Sequence, residues 1–299
     1  CCRSYQNMTI KILSLRIAAA ICILAAVAGA QKRSITEQDL FDFAWVGDPQ
    51  VSPDGTKVAF VKVTVNAAKT NYDTSVWLVS TTGSDSPIRI TSGSRDTSPR
   101  WSPDGRFLAF VRAGEAPGPT SSPQIYLLPM SGGEAVQLTS TARGSGGPVW
   151  SPDGKWIAFG SSANPEDIAK QGKPPVPGER DSDVRVITRA VYRADGGGYL
   201  DPTRPNHLWV IATPSSPGEK PVAKQLTSGR FSEGNIVWTK DASRIFYTTN
   251  RDPEPYYGFP NTEIFSIPPG GGEPTLLTEL EQGVGALSLS PDGKRFAFI

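Results

Sequence analysis

The sequence contains few residues that could perform catalysis. It has one histidine, His207, and no Gly-x-Ser-x-Gly motif, the turn on which α/β-hydrolases hold a nucleophilic serine. A serine hydrolase also needs a histidine base and an acid beside that serine. Because His207 opens an apolar strand-like segment without such a motif, we interpret it as structural. We therefore expect this chain alone to lack a catalytic triad and to be inactive.

Metal and cofactor chemistry finds no support in the residue types. All three cysteines precede residue 31, so the rest of the chain offers one histidine and no thiol to a zinc ion. Asp195 and Asp201 flank a glycine run but supply few oxygen atoms at calcium-ligand spacing. We expect no cofactor and no metal site.

The candidates for substrate contact lie in one long insertion, residues 160–206. Its first half is polar and rich in proline, which predicts a mobile loop, and its second half alternates like a strand into a glycine hairpin. Arginine and tyrosine side chains of the second half could face a peptide, and an acid of the first half could pair with a peptide amino terminus. Loop anchoring and a solvated turn are the alternatives. The candidate residues for substrate contact are Arg189, Tyr192, Arg193, Tyr199 and Glu166.

A repeat positions this insertion in the chain. The phrase Ser-Pro-Asp-Gly followed by an apolar run begins at residues 52, 102, 151 and 290, and a divergent copy begins at 239, so the steps are 50, 49, 88 and 51 residues. Proline, aspartate and glycine each favour a tight turn here, which makes the repeated aspartates turn residues rather than metal ligands. The long third step contains the insertion.

Each unit of about fifty residues predicts four strands. Repeated four-stranded units, each with aromatic residues and a turn motif at fixed positions, are typical of a β-propeller. The predicted fold class is therefore all-β. Trp101, Trp150 and Trp238 precede or open these turns and are expected to pack between blades. The predicted blades cover residues 49–91, 99–140, 148–228 and 236–279, with a fifth blade begun at 286, inside a partial propeller over 49–299.

The N-terminal residues have the pattern of an export signal. A basic segment, an apolar run over 17–27 and a small-residue site ending at Ala30 predict a signal peptide over 1–30, with extra residues before Met8. Residues 31–48 are expected to form a short helix, capped by Thr36, and a linker. The chain would then be periplasmic or secreted, without a membrane anchor after cleavage. A net charge of +1 gives no sign of nucleic-acid binding.

These motifs together resemble a known family. The segment ITEQDLFDF, the repeated WSPDG and the insertion phrase VITRAVYRADGGGYLDPTRPNHLWVI are similar to the N-terminal part of exported prolyl-oligopeptidase family serine peptidases, in the acylaminoacyl-peptidase and dipeptidyl-peptidase-like branch. In that family a seven- or eight-bladed propeller caps an α/β-hydrolase domain that follows it in the chain. The resemblance implies a truncated sequence whose catalytic domain lies beyond residue 299.

The function implied by this resemblance is gating. The propeller would admit short peptide substrates to a hydrolase domain of the same parent chain, its main partner, and proteolysis would use that domain's serine. The alternative is a non-catalytic exported binding module like the periplasmic propeller of the Tol system. Blade number, substrate specificity, exo- or endopeptidase action and oligomeric state stay open.

Overall fold

The computed structural model describes residues 33–83, 85–114, 122–173, 184–195, 198–215, 218–254, 257–259 and 261–299. The predicted signal peptide lies outside the described residues. The chain divides into two compact units, Cys1–Phe43 and Ala44–Ile299. None of the helices in the described residues is long and apolar enough to span a membrane.

The first unit contains a short 3-10 helix, Glu37–Asp42, where the sequence predicted a helix. Asp39 fixes its start, because one carboxylate oxygen accepts hydrogen bonds from the Thr36 backbone N–H at 2.7 Å and from the Thr36 hydroxyl at 3.0 Å. Arg33 donates to the same carboxylate at 2.6 Å. Thr36 is therefore the N-terminal cap, as its residue type indicated.

The second unit is built almost entirely of strands. Its single described helix, α1, is Pro165–Lys170. The described strands are β1 (Ala44–Val51), β2 (Lys57–Val65), β3 (Tyr72–Ser80), β4 (Ile88–Arg89), β5 (Asp96–Trp101), β6 (Phe107–Arg112), β7 (Gln124–Pro129), β8 (Val136–Gln137), β9 (Gly146–Trp150), β10 (Trp156–Ser161), β11 (Arg193–Ala194), β12 (Gly198–Tyr199), β13 (His207–Ala212), β14 (Lys224–Gln225), β15 (Glu233–Trp238), β16 (Ile245–Thr249), β17 (Thr262–Ile267), β18 (Thr275–Leu280), β19 (Leu287–Leu289) and β20 (Phe296–Phe298).

These strands form four antiparallel four-stranded sheets, which we call blades 1 to 4. The sheet orders are β1-β2-β3-β4, β5-β6-β7-β8, β9-β10-β13-β14 and β15-β16-β17-β18, and β19 pairs with β20 as the start of a fifth. The insertion lies between β10 and β13 and carries α1 and the two-stranded hairpin β11–β12. The all-β propeller architecture expected from the repeat is confirmed.

The repeated Ser-Pro-Asp-Gly phrase forms the same turn in each copy. In blade 3, the Ser151 hydroxyl donates to Asp153 at 2.6 Å and accepts the Trp156 N–H at 2.9 Å. Gly154 has a φ of +72°, a left-handed conformation that glycine adopts without steric cost. The divergent copy has Ala242 at this place with a φ of +57°. The aspartates are turn residues, as the sequence indicated.

The hydrophobic cores lie between neighbouring blades. Alternate residues of a central strand point to opposite sides, so one strand contributes to two cores. In β6, Leu108 and Phe110 join a cluster with Val76 of blade 1, while Ala109 and Val111 join a cluster with blade 3. A third cluster joins blades 3 and 4 around Leu208, Val210, Trp238, Ile245, Tyr247, Phe265 and Ile267.

Indole hydrogen bonds add a polar link between the same blades. In blades 2, 3 and 4, the tryptophan that ends the first strand donates its Nε1–H to a backbone carbonyl of the preceding blade's first strand. The three bonds run from Trp101 to Gln50, from Trp150 to Arg100 and from Trp238 to Val149, each at 3.0 Å. The prediction that these tryptophans pack between blades is confirmed, and the hydrogen bond explains the choice of tryptophan over phenylalanine.

Candidate functional site

The first strand of every complete blade contains a bulge at the same repeat position. Pairing with the second strand is interrupted there, and one residue adopts a left-handed backbone conformation. The four residues are Asp48, Ser98, Gly147 and Asn235, with φ of 47°, 54°, 61° and 47°. First strands of successive blades contact one another, so the bulges follow one another along the inner side of the blades.

Bulge side chains reach toward the next blade. Asp48 of blade 1 accepts a hydrogen bond from Arg100 of blade 2 at 2.7 Å. Asn235 of blade 4 donates to the carbonyl of Val284 at 3.3 Å. Blade 3 has Gly147 at this position, and a Cβ built on it meets no described atom within 4 Å. Blade 3 therefore leaves open the space that a polar side chain fills in its neighbours.

A cavity of about 610 Å³ occupies this open space. It lies against β9 and is bordered by β5 of blade 2 and β15 of blade 4. Two cationic side chains line it, Arg100 from β5 and Arg143 from the turn before β9, together with Ser161, Asn206 and Asn235. The described lining contains no aspartate, glutamate, histidine or cysteine. This composition suits binding of a ligand and provides no nucleophile–base pair for catalysis.

Small side chains in blade 3 enlarge the cavity. In blade 2, Asp96 and Arg112 form a two-point ion pair, with N–O distances of 2.7 and 2.9 Å. The repeat places Ser145 and Ser161 at these positions of blade 3. The Ser145 hydroxyl hydrogen-bonds to Thr141 at 2.9 Å. The Ser161 hydroxyl has no partner among the described residues, although the residue is only 3% exposed. An unpaired buried hydroxyl is costly, so its pairing by a ligand is favourable.

His207 lies beside this region in a buried structural contact. Its Nδ1 is 2.9 Å from a carboxylate oxygen of Glu233, which also accepts the Thr227 hydroxyl at 2.8 Å. The Thr227 hydroxyl in turn accepts the backbone N–H of Leu208 at 2.9 Å. The histidine thus ties blade 3 to the first strand of blade 4, which agrees with its interpretation as a structural residue.

The start of the insertion is a helix, where the sequence predicted a mobile loop. Asn164 caps α1 by accepting the Asp167 N–H at 2.8 Å, and Pro165 occupies the first turn, where its missing N–H costs nothing. Proline content suggested a loop, but at this place it marks a helix start. The candidate Glu166 lies on α1 and pairs with Lys170 at 3.0 Å on the exposed surface. Residues 174–178 of the predicted loop lie outside the described residues.

The other candidate residues lie in the second half of the insertion. Arg193 of β11 is paired with Tyr199 of β12, whose ring lies 4.6 Å from the Arg185 guanidinium. Arg189 and Tyr192 are exposed and lie outside strands. The strand-like alternation before residue 193 does not form a strand. All side chains of residues 184–192 are exposed, so the apolar residues of this segment do not form a buried face.

Arg204 fastens the two halves of the insertion together. It donates to Asp167 of α1 at 2.8 Å and also pairs with Asp201, which follows the hairpin. These contacts, the one with Asp167 first, raise the pKa of the guanidinium. Burial of Asp167 opposes its ionisation, but hydrogen bonds from Arg204 and from the Asn164 backbone leave its pKa lowered.

Comparison with known families decides the classification. The sequence model of the PD40 repeat, described as a TolB beta propeller domain, matches residues 14–175, more than half of the chain. The chain belongs to the PD40 β-propeller family.

Relatives of this PD40 propeller include peptidases of the acylaminoacyl-peptidase and prolyl-oligopeptidase type. It is 32% identical over 223 residues to "Uncharacterized peptidase YuxL" of Bacillus subtilis (strain 168), covering 73% of this chain and 32% of that protein. Uncomplexed acylaminoacyl peptidase of Pyrococcus horikoshii matches with a TM-score of 0.60 at 19% identity, over 88% of this chain and 36% of that chain. TolB of Acinetobacter baumannii matches with a TM-score of 0.50 at 18% identity, over 84% and 48%.

The PD40 propeller therefore spans about a third of the length of these peptidases. The two structural matches show the same fold. The resemblance found in the sequence is confirmed for the propeller part.

Sequence reasoning missed the cavity residues of the PD40 propeller. Arg100, Arg143 and Ser161 belong to no motif. One sequence signal could have located the cavity. When the four repeat units are aligned, Gly147 stands where the other units have aspartate, serine or asparagine. The run Gly144-Ser-Gly-Gly147 was visible but is a common turn composition.

Proposed function

We propose that this chain is the propeller part of a serine peptidase and that it limits access to a catalytic domain to short peptides. The observation that supports this proposal is the 32% identity over 223 residues to a protein named as a peptidase, of which the chain spans only 32%. The remaining two thirds of such a relative leave room for a hydrolase domain in the same chain.

The way the blades are joined suits a size filter. Neighbouring blades share continuous apolar cores and are linked by indole hydrogen bonds, so they resist separation as a group. A rigid passage excludes folded proteins by geometry before any chemistry, whereas a short peptide enters without cost. We also propose that side chains of the insertion, including Arg193 and Tyr199, contact the peptide directly.

The proposal includes the cellular setting. The export signal read in residues 1–30 would direct the chain to the periplasm or outside the cell, where peptides of varied sequence occur. Without cysteine after residue 30, the exported part would be insensitive to the redox conditions of such a compartment. The catalytic serine, aspartate and histidine would belong to the partner domain.

A second candidate function is a TolB-like binding module. It is favoured by the description of the matching family model and by the fold match to Acinetobacter TolB. Such a module would bind its partner without hydrolysing peptides. The peptidase proposal requires the complete reading frame to encode a hydrolase domain, whereas the binding module does not.

The test compares the 299-residue chain with the product of the complete reading frame from the source DNA. We expect the complete product to hydrolyse short acylated or dipeptidyl chromogenic substrates, to react covalently with a fluorophosphonate, and to lose activity on that reaction. We expect the 299-residue chain to do neither.

Substrate length provides the internal control. A peptide of about five residues should be cleaved, while the same sequence inside a folded carrier protein should resist. A complete product without fluorophosphonate labelling or hydrolysis contradicts the peptidase proposal and supports the binding module.

A further inference from the structure

We propose that the cavity beside Gly147 binds a carboxylate, carried by the end or an acidic side chain of a peptide. The choice of a peptide as its carrier rests on the proposed function, whereas the carboxylate specificity rests on the cavity itself. The cavity, about 610 Å³, is within the usual range for small-ligand sites and would hold a carboxylate with its adjoining residue.

The charge of the lining selects an anion. Arg100 and Arg143 contribute two guanidinium groups, and the described lining contributes no carboxylate. Arg100 uses one terminal nitrogen for Asp48 at 2.7 Å, and this ion pair fixes the position of its guanidinium. Arg143 makes no hydrogen bond with the described residues and is exposed at the rim. A guanidinium matches the two oxygens of a carboxylate in one plane.

The net charge favours a monoanion over a phosphate dianion. Asp48 offsets much of the charge of Arg100, and the remaining cation of the lining is Arg143. Asp167 lies near enough for Arg143 to lower its pKa, but Arg204 already pairs with it directly at 2.8 Å. One remaining positive charge balances one carboxylate.

A buried hydroxyl without a hydrogen-bond partner belongs to a residue in the wall of the same site. Ser161 lines the cavity and is 3% exposed, and its buried hydroxyl has no hydrogen-bond partner among the described residues. A carboxylate oxygen would accept this hydroxyl and remove the unpaired group. In blade 2 the corresponding position is Arg112, which is satisfied by the internal carboxylate of Asp96 at 2.7 Å.

Comparison between blades shows what the ligand would replace. Asp48 supplies a carboxylate to Arg100 from the bulge of blade 1, and Asn235 supplies an amide from the bulge of blade 4. At Gly147 the backbone has the same left-handed form and no side chain. A bound carboxylate would fill the place that the blade's own side chain leaves vacant.

The experiment measures binding to the full 299-residue chain by isothermal titration calorimetry. The probes are N-acetyl-trialanine as the free acid, the same peptide with a C-terminal amide, and inorganic phosphate. Because a hydrogen bond to a charged group contributes about 1.5 to 3 kcal/mol, we expect the acid to bind at least about tenfold more tightly than the amide. Phosphate is expected to bind more weakly than the acid.

Four variants locate the site. Arg143→Gln and Ser161→Ala should each reduce the preference for acid over amide to less than about threefold. Gly147→Asp should abolish it, because an internal carboxylate would occupy the cavity, and Asp48 shows that aspartate adopts this backbone conformation. Arg106→Gln is the matched control, since it removes an exposed arginine in the turn after β5, outside the cavity lining.

Circular dichroism should first show that each variant has the wild-type spectrum. Equal binding of acid and amide, binding of neither, binding of phosphate as tight as that of the acid, or an equal loss in Arg106→Gln would each overturn the proposal. These outcomes leave the hydrolase test unaffected, because calorimetry on this chain requires no catalysis. A chain that shows the acid preference but whose complete product is inactive would refute the peptidase function alone.

Discussion

Replacing Trp150 with phenylalanine tests whether the indole hydrogen bonds hold neighbouring blades together. Trp150 is 9% exposed, lies in the cluster between blades 2 and 3, and donates its indole N–H to the Arg100 carbonyl at 3.0 Å. Phenylalanine keeps an aromatic ring in the core but removes the donor.

The expected cost has two parts. Loss of about 40 Å² of buried apolar area costs about 1 kcal/mol at about 25 cal/mol per Å². Loss of the donor leaves the Arg100 carbonyl without this partner between two blades, which costs a further 1 to 2 kcal/mol, approximately. We therefore expect the free energy of unfolding to fall by about 2 to 3 kcal/mol.

Urea unfolding followed by far-ultraviolet circular dichroism measures this change. Trp156→Phe is the matched control, because Trp156 is half-buried in the adjacent strand β10 and its indole makes no hydrogen bond with the described residues. The control should lose about 1 kcal/mol, the apolar part alone. A slope of free energy against urea that is unchanged between variants would show that only stability differs.

The difference between the two variants is the decisive quantity. A difference below about 0.5 kcal/mol would mean that the indole hydrogen bond contributes nothing beyond its ring, since that is the usual scatter of neutral substitutions. The inter-blade role of the tryptophans would then rest on packing only.

Three further predictions use other repeated features. Thr139→Val removes a buried hydroxyl that accepts a backbone N–H at 2.9 Å and should lower the free energy of unfolding by about 1 to 3 kcal/mol. Thr278→Val changes an exposed threonine of β18 in blade 4 and should alter the free energy of unfolding by less than about 0.5 kcal/mol; urea unfolding measures both variants. Glu233→Ala leaves the buried Nδ1 of His207 without this partner and removes the acceptor of the Thr227 hydroxyl, and it should cost about 3 to 5 kcal/mol, seen as a lowered melting temperature, while Glu233→Gln should cost much less. Hydroxyls of the turns hold the pKa of Asp54 and of Asp241 at about 2, below the value near 3.9 of unfolded chains. Because the unfolded chain then binds more protons, this stabilisation is complete above about pH 5 and is lost as the pH falls from about 4 to 2. The double variant Asp54→Asn/Asp241→Asn should lose less stability over that interval, and an equal loss would contradict the assignment.

The repeat made most of the fold predictable. A turn that needs serine, aspartate and glycine together leaves a strong local signal, and Ala242 shows that even the divergent copy keeps the geometry. The continuous apolar run after each turn indicated a strand buried on both faces, which holds in β6 and β10. These features are local, so one stretch of sequence contains all their physical causes.

The cavity could not be predicted in the same way. Arg100 of β5 and Asn235 of β15 are far apart in sequence and border one cavity only because consecutive blades place their first strands side by side. The helix α1 was missed for a different reason, since Asn164 and Pro165 form a capping signal that proline-rich surroundings concealed. The cavity was missed because it depends on contacts between residues distant in sequence. Helix α1 was missed because the proline-rich composition outweighed a local capping signal.

The bulge positions of the first strands are under a different evolutionary constraint from the packed faces of the blades. Substitution in the faces of the blades disturbs packing on two sides, while substitution at Asp48, Ser98, Gly147 or Asn235 alters a side chain outside those three apolar clusters. One position per blade can thus vary in charge and size while the framework stays intact. Selection can therefore change the inner surface of this propeller blade by blade, through the residue types, such as aspartate, asparagine and glycine, that tolerate the left-handed backbone.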